Sequence, residues 1–134
     1  MYLKHAKNSY MLSLIGYKLI HLIGVFLFLI AMGASILHGL NGGTKHTNRF
    51  RSGVGMAHGL GLFCMLLGGF GMAAKLGVST WPMPIWMIVK ILLWVIAGGL
   101  LALSVRRPSA GRLHWLITIL TAFSAAYVGL TKPF

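Results

Sequence analysis

Four long apolar runs, parted only by short polar, glycine-rich or proline-rich segments, leave this chain few ways to fold. They lie near residues 18–40, 53–76, 82–105 and 112–130. Each is long enough to cross a hydrocarbon core, which takes about 20 helical residues. Backbone groups in lipid must be paired within the spanning element or around a closed barrel. Barrel strands alternate polar and apolar residues, and these runs do not. The expectation is therefore an all-α integral membrane four-helix bundle, antiparallel and up-down with short loops. At 134 residues, 57% of them hydrophobic, the chain reads as one transmembrane domain over 1–134.

Punctuation supports the same boundaries. Asn41-Gly42-Gly43 ends the first run and opens the longest loop, and Gly77 closes the second. Ser79-Thr80-Trp81-Pro82 reads as a helix start, with Pro82 and Pro84 in the first turn, where their missing N–H groups cost nothing. Trp81 and Trp86 suit the membrane interface. Arg106-Arg107-Pro108-Ser109 stops the third run. Lys4 and Lys7 precede the first run as in a secretion signal, but a signal core spans only about 7–15 residues, so this segment reads as a retained helix. Cys64, in mid-membrane, reads as a small apolar residue.

The charge pattern sets the functional question. The chain carries 12 Lys and Arg residues and no Asp or Glu, for a formal charge of +12. Lipid phosphates, acidic side chains of a partner subunit or the carboxylates of a cofactor must supply the counter-charge. A pI near 10.9 does not point to nucleic acid here, because the cations sit at helix ends, where they meet anionic headgroups. The loops after helices one and three (face B) carry Lys45, Arg49, Arg51, Arg106, Arg107 and Arg112. The opposite face A carries Lys4, Lys7, Lys18, Lys75 and Lys132. The denser loops of face B place both termini outside the cytoplasm by the positive-inside rule.

Unusual residues recur at spacings of three and four, as one stripe of a packed bundle requires. The stripes read His21, Gly24, Phe28, Ala31, Ser35, His38; then His58, Gly61, Met65, Gly68, Met72, Lys75; then Met83, Met87, Lys90, Trp94, Ala97, Leu101; and finally His114, Ile117, Thr121, Ser124, Val128. Polar groups in lipid are expensive and belong inside. At about 1.5 Å per residue, His38, His58 and His114 share a slab near face B, while His21, Lys75 and Lys90 form a second level towards face A.

The face-B level fits bis-histidine ligation of haem b, with two imidazoles on the iron and propionates held by Arg51, Arg106, Arg107 and Arg112. A flat ring needs small neighbours, and Gly55, Gly59 and Gly61 with Ala97, Gly98 and Gly99 lie at about that depth. Plainer roles are open for each. Gly55-x-x-x-Gly59 reads first as close helix packing. His38 and His114 sit where headgroups reach them. Thr121 and Ser124 are expected to bond back to their own helix, and Met65, Met72, Met83 and Met87 to fill core gaps. His5 and His46 read as solvated. Lys90 lies about 12 Å into the third run, a little deep for its own stem to reach water.

Two segments carry a resemblance. Lys18-Leu19-Ile20-His21-Leu22-Ile23-Gly24-Val25 resembles the first helix of HemJ-type protoporphyrinogen oxidases, and Trp86-Met87-Ile88-Val89-Lys90-Ile91-Leu92 is similar to their membrane lysine segment. That family, akin to the CopD and SirB membrane proteins, implies a helical bundle that binds haem b, with His21 and Lys90 as functional residues. The expected location is a bacterial inner membrane. The match covers about 35 residues, and His58 departs from the family's pattern.

The leading expectation is a haem b-binding membrane protein that moves electrons between a quinone or tetrapyrrole and a larger redox system. His21, His38, His58 and His114 are the metal-ligand candidates, and Lys90 with the face-B arginines holds carboxylates. The second expectation is a cofactor-free accessory subunit docked on an acidic partner in a membrane complex. The third is HemJ-like oxidation of protoporphyrinogen. There is no carboxylate for general acid or base work, no Ser-His-Asp set and, for lack of anionic oxygen ligands, no hard-cation site; there is also no phosphate loop. Copper or zinc bound through histidines stays open.

Overall fold

The computed structural model describes residues 12–79 and 81–132. Lys4, His5 and Lys7, and Thr80 of the third helix-start signal, lie outside the described residues. Four helices follow one another: α1 (Leu14–Leu40), α2 (Arg51–Lys75), α3 (Ile85–Arg106) and α4 (Gly111–Thr131), with a 3-10 turn at Pro108–Ala110 before α4. All four are long and apolar enough to cross a membrane. The described residues contain no strand.

Local chemistry explains the ends. Ser13 caps α1, its Oγ accepting from the Gly16 N–H at 3.1 Å, so the helix starts four residues before the charged Lys18. At its other end Gly42 takes φ +79° and the Gly43 N–H donates to the His38 carbonyl. Helix α2 closes the same way, with Gly77 at φ +67° and Val78 donating to Ala73. Both are glycine-dependent Schellman stops. Helix α3 departs from expectation, because Pro82 and Pro84 precede the helix instead of occupying its first turn. Met83 stands before a proline and is pushed from the α region, so the helix begins only after Pro84.

Up-down-up-down topology follows from residue pairings. A Cβ placed on Gly24 would meet the Gly61 oxygen at 2.6 Å, and one on Gly68 the His21 nitrogen at 2.6 Å, so α1 and α2 run antiparallel with their backbones in contact. Ser35 and Ser104 join the late turns of α1 and α3 at 2.8 Å. Lys90, early in α3, packs on Gly129, late in α4. Contact between α2 and α3 is sparse, and α2 does not touch α4 among the described residues. Phe28, Met32, Ile36, Ala97 and Leu100 form the core, flanked by Leu62, Met65, Leu101 and Ile117.

Each expected stripe turns inward in part: Gly24, Phe28, Ala31 and Ser35; His58, Gly61 and Gly68; Met87 and Ala97; His114, Thr121 and Val128. Large apolar residues such as Phe26, Phe63 and Phe123 face outward. In oil that arrangement is favourable, because the outer surface has no water to avoid. Met83 leaves the third stripe, since it is not helical. The back-bonds of α4 are made by Thr118 to His114 and by Thr131 to Tyr127, where Thr121 and Ser124 had been expected.

Candidate functional site between helices two and three

Glycine is spent unevenly on α2. Gly24, Gly61 and Gly68 bring α1 and α2 together, and no comparable contact draws α2 to α3. The outcome is a groove of about 510 Å³ in the face-B half of the α2–α3 seam. Such a volume lies within the roughly 300–1,000 Å³ of small-molecule sites. Val54, Gly55 and His58 form one wall, and Gly98, Leu101, Ala102 and Val105 the other. The groove exists because Gly55 and Gly98 bring no side chain into the seam. Gly55 and Ala102 are exposed, so the groove opens sideways towards lipid.

Its depth is set by two cross-links. The His58 Nε2–H donates to the Ala97 carbonyl at 3.3 Å, longer than the usual range, and the Trp94 Nε1–H donates to Leu62 at 2.9 Å. His58 is only 5% exposed and its ring lies 5.6 Å from that of Phe28. At the mouth stand Lys45, Arg51 and Arg106, with Asn48 between the loop and α2. Their field is uncompensated within the chain, which has no side-chain carboxylate. A guest with an apolar body and an anionic end matches this surface, and the guanidinium forks suit a carboxylate or phosphate.

The other expected residues are elsewhere. Gly59 and Gly99 are exposed, and a Cβ on either would meet nothing within 4 Å, so neither lines the groove nor packs a helix pair. For Gly59 this also corrects the close-packing reading of Gly55-x-x-x-Gly59: α2 meets α1 through Gly61 and Gly68, one stripe away. Arg107 caps α3 and Arg112 lies in the first turn of α4, both exposed and outside the groove.

The histidines have separate surroundings. His38 shares its Nε2–H between the Thr44 carbonyl at 3.0 Å and the Thr47 hydroxyl at 3.1 Å, fastening the α1–α2 loop. His114 is 2% exposed, and its Nδ1 has no partner among the described residues. His21 donates from Nδ1 to the Met65 carbonyl at 2.8 Å, a bond that fixes the ring and leaves Nε2 as an acceptor. No three histidine or cysteine side chains converge as a metal group among the described residues. Lys90 is not part of the groove and sits at the face-A end.

Tested against haem b, the groove offers small-residue walls, cations for propionates and one imidazole, that of His58. The groove itself presents one histidine, His58; His38 is held by the α1–α2 loop, and His114 lies on α4, which does not touch α2 among the described residues. Sequence reasoning overlooked Trp94 as a donor and Asn48 as a rim residue, and placed Lys45 only among the face-B loop cations. A mid-membrane tryptophan was a legible signal, since its N–H needs an acceptor. Comparison with protein-family models, curated proteins and solved structures finds no match to this chain.

Proposed function

We propose that this protein binds an apolar ring ligand bearing carboxylates, haem b foremost, and serves electron transfer in a membrane redox assembly. The observation that supports the reading is the α2–α3 groove, apolar within and cationic at its mouth. On this reading His58 would hold the iron, which requires its long bond to Ala97 to yield. Arg51, Arg106 and Lys45 hold the carboxylates at the headgroup level, and Gly55 and Gly98 leave room for the ring faces. Bound haem supplies a one-electron couple whose potential reflects axial ligation and burial. The protein's own part is to orient the ligand, screen its anions and keep water from its apolar edge.

The test is an absorption spectrum of the purified chain, oxidised and reduced, with an iron assay. The expected result is a Soret band and about one haem per chain, lost in His58→Ala and weakened in Arg51→Gln and Arg106→Gln. A folded sample with neither Soret band nor iron would overturn the haem assignment.

A second reading, a cofactor-free subunit, is favoured by Arg49, Arg107 and Arg112, exposed on face B outside the groove. It expects a salt-sensitive association with an acidic partner and no ligand spectrum. HemJ-like oxidation rests on His21, whose Nε2 is free to accept, and on Lys90, which lies with it towards face A. That activity would be measured in the purified chain and disappear in His21→Ala and Lys90→Ala.

A further inference from the structure

At the face-A end of the α3–α4 seam two lysines from different helices converge. The Nζ of Lys90 rests on the open backbone of Gly129, where a Cβ would lie 2.8 Å from it. Lys132 caps α4 in the left-handed region, φ 44°, and its Nζ lies 5.4 Å from the Trp86 ring centroid, one turn before Lys90 on α3. Among the described residues Lys90 makes no hydrogen bond, and Lys132 stands one turn beyond Gly129, the residue on which Lys90 packs, so both ammonium groups belong to the same end of the seam. The carbonyl end of α4 contributes only about half an elementary negative charge against two positive ones. A partly buried ammonium without an anion is unfavourable.

We propose that Lys90 and Lys132 clamp the phosphodiester of an anionic membrane lipid at face A. Lys90 starts about 8 Å below the helix start, and its stem lifts Nζ towards the interface. Trp86 marks that level as an interfacial aromatic. Exposed Ile85 and Leu130 lie at the same end of α3 and α4 and give acyl chains an apolar surface. That neighbourhood favours a lipid over a free anion. The site shares no residue with the α2–α3 groove and stands or falls independently of it.

Native mass spectrometry of the full chain, titrated with phosphatidylglycerol and with phosphatidylcholine, tests the proposal. Phosphatidylglycerol should be retained preferentially, with affinity falling roughly fivefold to tenfold in each of Lys90→Gln and Lys132→Gln. Lys75→Gln removes the same charge from the same face and should change it less than about twofold. Equal losses in all three variants would overturn a specific clamp, as would unchanged retention in Lys90→Gln and Lys132→Gln. Displacement of the lipid by millimolar inorganic phosphate, or by an acidic peptide, would overturn the lipid assignment.

Discussion

His38 and His58 have the same side chain and sit near the same membrane face, yet their neighbours give them different work. The His38 imidazole is held by Thr44 and Thr47, six and nine residues away, and so belongs to the loop. His38→Ala should cost about 1 kcal/mol of stability and raise amide exchange across residues 44–48, leaving any groove ligand in place. Trp94 is the matching case in the bundle interior. Trp94→Phe removes the donor to Leu62 and should cost about 0.6 kcal/mol, at most about 1.7, read by unfolding in mixed micelles. None of these partners was legible in the sequence. Helical spacing reveals which side of a helix a ring occupies, but not which carbonyl on another element will receive its proton.

At the scale of elements the sequence was far more informative, because length in lipid is set by bilayer thickness and polar residues must turn inward. The four spans lie where the apolar runs placed them, and the Gly42 and Gly77 stops follow from residues that tolerate positive φ. The start of α3 was misplaced because each proline was considered alone, without its effect on Met83. Glycines divided less legibly. Gly59 and Gly61 are two positions apart, but only Gly61 touches α1. Gly61→Ala should push the hairpin apart and destabilise it by roughly 1–3 kcal/mol. Gly59→Ala should be neutral or stabilising by up to about 1 kcal/mol, since it gains helix propensity at an open site. Equilibrium unfolding of the two variants side by side reads the difference in sign.

For the molecule as a whole, the absence of any Asp or Glu beside 12 Lys and Arg residues is the property that composition showed most clearly. Face B carries six cations within or beside its two short connections, for which the positive-inside rule predicts a cytoplasmic position. An impermeant thiol reagent should therefore fail to label His46→Cys in intact cells and label it after lysis; the native Cys64 lies within α2. Labelling in intact cells would reverse the orientation.

The loose α2–α3 seam has a further consequence. Helices α1 and α2 are fused backbone to backbone, while two side-chain bonds, from His58 and Trp94, span the other junction. Parting that junction requires no unfolding, so a guest of the proposed kind would enter through the wall of the protein, sideways from the bilayer. Occupancy then tracks how much of the guest is dissolved in the membrane, and a water-soluble analogue of equal shape would fill the groove poorly.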